Sequence, residues 1–283
     1  MRRGSAARTV VAGLVLAGAA ACSASSTATN SSSSANGPAT TVADIRTPGT
    51  TVAARPLRIL VTNDDGVGAP GIDAVVEGLR ALPSTEVVVV APATNQSGTG
   101  GRTTEGEVAV SDATTASGVP AKAVAGYPAD TVAVAIDRNG IPWKPDLVVS
   151  GINAGQNLGP ATKISGTVGA AQAAAKRGVP ALAASQGLTD QPDFPGGVQL
   201  VTEWVQAHRA ALLAGTAPLQ VVNLNVPTCT VGTRQDTVEV PVAADFGSVD
   251  ITKVDCNGTG PVTDDVTAFV SGHATLSELP PAA

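Results

Sequence analysis

Short runs of β-branched and aliphatic residues alternate along this chain with segments whose apolar residues recur at helical spacing. The runs Leu57–Thr62 and Glu86–Ala91 are nearly continuous, as expected of parallel strands that are buried on both faces. The segment 71–82 between them has the apolar spacing of a helix. Further strands are predicted at 107–110, 121–125, 145–150, 180–185 and 219–226, and further helices at 128–138, 165–178 and 197–213. This alternation predicts an α/β, Rossmann-like three-layer fold with a mainly parallel sheet.

The alternation weakens after Pro227. A strand is predicted at 238–242, and 263–279 has partial β character. We therefore expect a core domain at 57–227 followed by a small irregular or β C-terminal extension at 228–283.

The extension contains two cysteines, Cys229 and Cys256. In an exported protein an even pair predicts a disulfide, which would constrain the unfolded chain by roughly 3–4 kcal/mol in the chain-entropy model. Two buried free thiols are the alternative.

The first 56 residues have a different composition from the rest. A basic start is followed by an apolar run at 10–21, shorter than the about 20 residues that span a bilayer, and small residues then precede Cys22. Residues 1–22 thus resemble a bacterial lipoprotein signal, which predicts export and anchoring to the outer face of the cell membrane by lipidated Cys22. Secretion after cleavage near Ala21 is the alternative. The Ser, Thr and Ala-rich residues 23–56 are predicted to be a disordered tether.

Composition restricts the range of partners. The hydrophobic share of 43% is ample for a core, but only 2% of the residues are aromatic and the formal net charge is −6. Without a basic patch or stacking aromatics, a nucleic-acid polymer is disfavoured as a ligand. An anionic small molecule would need a cation or a helix N-terminus to hold it.

Polar loops follow three of the predicted strands, at 63–66, 95–98 and 151–155. In a parallel sheet these loops leave the same edge, where open α/β folds bind their ligands. Together they offer four oxygen donors and neither histidine nor cysteine: Asp64, Asp65, Ser97 and Asn153. Such hard ligands suit Mg²⁺, Mn²⁺ or Ca²⁺ better than Zn²⁺ or Cu²⁺.

A helix predicted to begin at Ser165-Gly166-Thr167 adds an anion site, because its first N–H groups and its dipole attract negative charge. A cation beside a helix N-terminus forms a natural phosphate site, where the metal polarises the phosphoryl oxygens and lowers the pKa of a bound water. Asp64 and Asp65 are therefore the candidate catalytic carboxylates, as holders of the cation and, for one of them, as a group that orients the water.

Each of these features also has a plain structural explanation. Asp-Asp-Gly is common in solvated turns, Asn153 between glycines suits a left-handed turn, and Ser165 suits a helix N-cap. The glycines of 66–71 match the dinucleotide fingerprint of an oxidoreductase, although the second strand ends at Pro92 without the acidic residue that would bind the ribose. A non-enzymatic lipoprotein that binds a solute is the remaining alternative.

Several motifs carry a family resemblance: RILVTNDDG at 58–66 with APGI at 69–72, VAP at 90–92 with NQSG at 95–98, PDLVVSGINAG at 145–155 with NLG at 157–159, SGTV at 165–168 and VNLNVP at 222–227. They resemble the SurE family, the survival-protein E nucleotidases, over about 57–227. The resemblance implies a metal-dependent phosphatase that hydrolyses nucleoside 5′- and 3′-monophosphates or other small phosphomonoesters.

The resemblance also implies residue roles. One divalent cation per site, Mg²⁺ or Mn²⁺, would be held by the four oxygen donors at the sheet edge. The phosphate pocket would be lined by five residues: Asn63, Asn95, Ser165, Gly166 and Thr167. Family members associate through C-terminal arms and exchanged segments, so a homodimer is an expected assembly, although the stretch after Pro227 is short for the family.

Overall fold

The computed structural model describes residues 55–281. The predicted signal segment with Cys22 and nearly all of the predicted tether lie outside the described residues. Within 55–281, no helix has both the length and the apolar character needed to cross a membrane.

A nine-stranded sheet runs through residues 55–281 in the order β3-β4-β2-β1-β5-β6-β7-β9-β8. The strands are β1 (Leu57–Thr62), β2 (Thr85–Pro92), β3 (Val110–Thr114), β4 (Pro120–Val124), β5 (Leu147–Ala154), β6 (Ala181–Gln186), β7 (Val221–Val226), β8 (Gln235–Glu239) and β9 (His273–Leu279). The helices are α1 (Pro70–Arg80), α2 (Pro128–Ile136), α3 (Gly166–Lys176), α4 (Phe194–Ala214) and α5 (Asp265–Val270), with a 3₁₀ helix at Gly159–Lys163. The predicted α/β fold with a mainly parallel sheet is confirmed.

The six central strands are mutually parallel, from β4 through β2, β1, β5 and β6 to β7. Apolar residues of α1 and α4 form one core with one face of the sheet, and those of α2 and α3 form a second core with the other face. From β1 the chain adds β2 on one side of the sheet, and it later adds β5, β6 and β7 on the other side of β1. The direction of strand addition therefore reverses between β1 and β5. Ligands of open α/β sheets bind at such a switch point, beside the carboxyl ends of the strands.

The strand predicted at 107–110 is wrong in position, because the structure has β3 at Val110–Thr114. This edge strand pairs antiparallel with β4 and leaves most of its side chains exposed, so it shows no apolar run in the sequence. The strand predicted at 238–242 lies at Gln235–Glu239 instead.

The segment 263–279, predicted to have partial β character, divides into α5 and β9. Asp264 begins the helix as an N-cap whose side chain accepts from the Thr267 N–H at 2.8 Å. The buried ring of Phe269 packs with Val266 and Leu158 in a small separate core. This core attaches the C-terminal extension to the segment that follows β5.

In the C-terminal extension Cys229 and Cys256 are joined by a disulfide, with 5.9 Å between their Cα atoms. The bridge joins residues that are 27 positions apart in sequence. The segment between them contains little regular secondary structure. In the entropy model a loop of this size constrains the unfolded chain by roughly 3–4 kcal/mol.

Candidate active site

The turn after β1 is built by Asn63, whose side chain is fully buried. Its Nδ2 donates to the carbonyl oxygen of Gly66 at 2.9 Å, and its Oδ1 accepts from the Gly66 N–H at 3.2 Å. Gly66 has a φ of +107°, a conformation that glycine adopts without strain. The Asn63 amide is therefore used to hold the turn that carries Asp64 and Asp65 over the sheet edge.

Asp64 lies beneath the first turn of α3. Only 3% of its surface is exposed, and its Oδ1 accepts a hydrogen bond of 2.5 Å from the Thr167 hydroxyl. A Cβ at Gly166 would come within 2.7 Å of the Asp64 Cβ, so the absence of a side chain there allows α3 to approach this carboxylate. The start of α3 and the turn after β1 thus form one packed unit.

Burial raises the pKa of Asp64 to about 6. The hydrogen bond from the Thr167 side chain acts in the opposite direction and lowers this pKa, while the charge of neighbouring Asp65 raises it. Backbone N–H groups of Asp64 and Thr167 lower it further. Desolvation is the largest of these effects because the carboxylate has lost most of its contact with water.

Asp65 is half-buried next to the end of β5. Its Oδ2 accepts from the backbone N–H of Ala154 at 3.1 Å, and Asn95 Nδ2 lies 3.4 Å from its Oδ1. Burial raises the pKa of Asp65, and the Ala154 N–H opposes that rise. This contact brings the turn after β1 against the loop that contains Asn153.

The loop after β2 also borders the site, together with the turn after β1, the start of α3 and the end of β5. The Gln96 N–H donates to the backbone oxygen of Asp64 at 2.7 Å, which fastens this loop to the turn after β1. Ser97 is exposed, and its N–H donates to Asn95 Oδ1 at 2.9 Å. Backbone and side-chain bonds therefore connect the three polar loops and the start of α3 at one sheet edge, where the sequence predicted that they meet.

Asn153 lies where the pairing of β5 with β6 shifts register. Its Nδ2 donates to the carbonyl oxygen of Gly155 at 2.6 Å. Among the bonds formed within 55–281, its Oδ1 has no donor, so this oxygen is available to a ligand.

The electrostatics of the edge fit a cation. Asp64 and Asp65 are adjacent, both have raised pKa values, and neither is ion-paired with a basic side chain in the described part of the chain. A bound cation would relieve their repulsion and offset their desolvation. Residues 55–281 contain no group of three His, Cys, Asp or Glu side chains suited to a metal. A cation here would therefore rely on oxygens of Ser97, Asn153 and water besides the two carboxylates.

Three of the residues predicted to line a phosphate pocket use their side chains in hydrogen bonds within the protein. Ser165 caps α3, its Oγ accepting from the Val168 N–H at 3.1 Å. Thr167 is fully buried and its hydroxyl is used by Asp64, while Asn63 braces its own turn. Phosphate contacts from exposed Asn95 and from backbone N–H groups of α3 stay predictions. The positioning role of Thr167 was missed because Asp64 lies 103 positions away in sequence.

Replacing Thr167 with valine is expected to raise the pKa of Asp64 above about 6 in metal-free protein, because the hydroxyl bond stabilises the charged carboxylate. Thr167→Ser keeps the hydroxyl and should leave the pKa close to that of the unmodified protein. Carboxyl ¹³C chemical shifts followed against pH would measure both. An Asp64 pKa that is the same in Thr167→Val as in the unmodified protein would contradict the assigned hydrogen bond.

Comparisons with known proteins relate most of the described residues to one family. The sequence profile described as "Survival protein SurE" matches residues 59–245. The chain is 41% identical over 171 residues to "5'-nucleotidase SurE" of Methanocella arvoryzae, covering 60% of this chain and 62% of that protein. It is 44% identical over 177 residues to the protein of the same name in Sorangium cellulosum, covering 61% of this chain and 65% of that one. The chain thus spans less than two thirds of the length of these curated relatives.

The fold has a solved counterpart. The crystal structure of the SurE protein from Aquifex aeolicus superposes with a TM-score of 0.64 at 27% sequence identity, covering 80% of this chain and 94% of that one. The matched profile includes both aspartates, Ser97, Asn153 and the start of α3. Since the profile extends over more than half of the sequence, this chain belongs to the survival protein SurE family.

Proposed function

We propose that this protein is a metal-dependent phosphatase that hydrolyses nucleoside 5′- and 3′-monophosphates. The observation that carries the proposal is the pair of adjacent, desolvated carboxylates, Asp64 and Asp65, at the switch point of the sheet. The names of the relatives, 5′-nucleotidases, support the substrate class, and family membership favours this activity over a dinucleotide-dependent oxidoreductase.

The cation would be Mg²⁺ or Mn²⁺, held by Asp64, Asp65, Ser97 and Asn153. When bound, it supplies a Lewis acid for the phosphoryl oxygens and a water of lowered pKa. The donor set supports this assignment, because hard oxygen ligands with few protein contacts leave room for water and substrate.

The protein groups have separable tasks in this proposal. Thr167 fixes the orientation of the Asp64 carboxylate through its short hydrogen bond, and the Ala154 N–H does the same for Asp65. Asn95 lies between Asp65 and the Ser97 backbone, where its amide can orient a phosphate oxygen. Preorganised dipoles of this kind stabilise the charge of the transition state without having to reorganise during the reaction.

A substrate panel tests the proposed class of reaction. The full chain, supplied with Mn²⁺ or Mg²⁺, is expected to release phosphate from 5′- and 3′-nucleoside monophosphates but not from a phosphodiester. Phosphate release is measured against Asp64→Asn prepared in the same way, which corrects for contaminating phosphatases. No release above that variant from any monoester would overturn the proposed function.

We also propose that the enzyme acts outside the cytoplasm, anchored by Cys22. The disulfide between Cys229 and Cys256 supports an oxidising compartment, because such bonds are rare in cytosolic proteins. Mass spectrometry of the mature N-terminus would detect a diacylglycerol-modified Cys22, and a free N-terminal amino acid without lipid would contradict anchoring.

A further inference from the structure

A cavity of about 580 Å³ is lined in part by the loop after β2, which also borders the candidate active site. The side chain of Asn95 in that loop contacts Asp65, whereas its neighbours Thr94 and Gln96 line the cavity. One loop thus carries both the residue that contacts Asp65 and two residues of the cavity lining, so the cavity lies next to the dicarboxylate along this loop.

A cation stacked on an aromatic ring forms part of the cavity lining. The guanidinium carbon of Arg102 lies 4.7 Å from the ring centroid of Tyr127, and both residues line the cavity. Arg102 is exposed, so its surface is open to a ligand. Guanidinium planes and aromatic rings are the surfaces on which proteins stack nucleobases.

A buried carboxylate holds the two sides of this stack together. Asp130 is 5% exposed and accepts from the Thr104 N–H at 3.0 Å, from the Thr104 hydroxyl at 2.7 Å and from the Tyr127 N–H at 2.9 Å. Its bonds therefore connect the segment that follows Arg102 to the residue on which Arg102 stacks. A Cβ at Gly126 would lie 2.7 Å from Asp130 Oδ2, so the side-chain-free residue leaves room for this link. The stack is built into the fold before any ligand arrives.

The remaining lining selects the type of ligand. Besides alanine and glycine, it consists of hydroxyl and amide groups, with Arg102 as the basic residue and Glu105 as the acidic one. A carboxylate at Glu105 repels a second phosphate but accepts hydrogen bonds from the amine of a base. An uncharged, flat group with hydrogen-bond donors fits this combination better than a polyanion does.

We propose that this cavity binds the base of the nucleotide, with Arg102 and Tyr127 as the stacking platform and the phosphate placed at Asp64 and Asp65. The proposal rests on the function proposed above. It explains how a site that needs only a phosphomonoester for its chemistry would prefer nucleotides over simpler esters.

Substrate preference tests the proposal. The ratio of kcat/KM for AMP to that for glycerol 2-phosphate, which has no base, is compared between the unmodified protein and Arg102→Ala. Loss of the platform should lower this ratio about tenfold, mainly through a higher KM for AMP. Arg80→Ala removes an exposed arginine at the end of α1, paired with Glu77 at 3.6 Å, and should leave the ratio within about twofold.

Tyr127→Leu provides a second variant that keeps an apolar side chain but removes the ring, and it should lower the same ratio. An unchanged ratio in both Arg102→Ala and Tyr127→Leu would overturn the base site while leaving the phosphatase activity intact.

Binding of adenosine, which has no phosphate, separates this proposal from the proposed function. Equilibrium dialysis should show adenosine binding that Arg102→Ala weakens about tenfold. If no monoester is hydrolysed but this binding is found, the proposed function fails and the base site stands. If monoesters are hydrolysed and adenosine does not bind at millimolar concentration, only the base site fails.

Discussion

Replacing Asp64 with asparagine is expected to reduce phosphate release about a thousandfold or more and, in the metal-free protein, to stabilise the fold at neutral pH. The first effect follows because a bound cation contributes several kcal/mol to the reaction, and about 4 kcal/mol corresponds to a thousandfold in rate. The second follows because the buried carboxylate is costly to ionise when no cation is present. Replacing a residue that has only a structural role would not cause both a loss of activity and a gain of stability.

The pH dependence of the stabilising effect has a definite direction. The pKa of Asp64 rises from its ordinary value of 3.8 to about 6 in the folded protein, so the folded state binds this proton more tightly than the unfolded state does. The free energy of unfolding therefore falls as the pH rises from about 4 to above 6. Since one pKa unit corresponds to about 1.4 kcal/mol, the penalty at pH 7 is about 3 kcal/mol. Asp64→Asn should remove it at pH 7 and make little difference below pH 4.

Asp73→Asn is the matched control. Hydrogen bonds from Thr115 and Ser117 outweigh the effect of burial and lower the pKa of Asp73, so neutralising this carboxylate should destabilise the protein at pH 7. Its carboxylate binds Ser117 in the turn between β3 and β4 rather than any of the polar loops, so the change should leave hydrolysis unaltered. Urea unfolding in EDTA across pH 4–7 measures both variants. An Asp64→Asn protein that is active, or that is less stable than the unmodified protein at pH 7, would contradict the account of Asp64.

Gly71→Ala is expected to destabilise the domain by about 2 kcal/mol or more and to lower activity as well. A methyl group there would overlap the backbone oxygen of Ile152 and lie 2.9 Å from the Phe194 ring. Alanine favours a helix over glycine by about 1 kcal/mol, but overpacking against a backbone atom costs about 1–3 kcal/mol or more, because α1 or β5 must move. Ile152 precedes Asn153, so that movement disturbs the candidate cation site.

Gly68→Ala, in the turn just before α1, offers the comparison. No atom lies within 4 Å of the position that its methyl group would occupy, so this change should be neutral or stabilise the protein by up to about 1 kcal/mol. Thermal and urea unfolding of the two variants, together with phosphate release, measure the difference. If Gly71→Ala unfolds at the same urea concentration as Gly68→Ala, close packing of α1 on β5 is not what requires glycine.

The sequence predicted the central parallel strands and the turn after β1 because their signals are local. Leu57–Thr62 is a nearly continuous apolar run, and the Asn-Asp-Asp-Gly turn follows it directly. The edge strand β3 was misplaced because most of its side chains are exposed, and the helix α5 was missed because it has only six residues and begins at the Asp264 cap.

The contacts that orient the candidate site could not be predicted in the same way. The bond between Thr167 and Asp64 joins residues 103 positions apart, and Asp130, which also binds the Tyr127 N–H, accepts from Thr104 26 positions away. Such contacts depend on how helices pack on the sheet, which local spacing does not encode. Sequence patterns therefore located the polar loops, whereas the structure shows which side chains brace the carboxylates.

Phosphate release by the metal-stripped full chain tests the central claim most directly. After chelation and removal of the chelator, the protein should release no phosphate from AMP, and micromolar to millimolar Mn²⁺ should restore the rate in the unmodified protein but not in Asp64→Asn. Hydrolysis that continues at its full rate after chelation, or that Mn²⁺ restores equally in Asp64→Asn, would contradict a cation held by Asp64 and Asp65 as the basis of the activity.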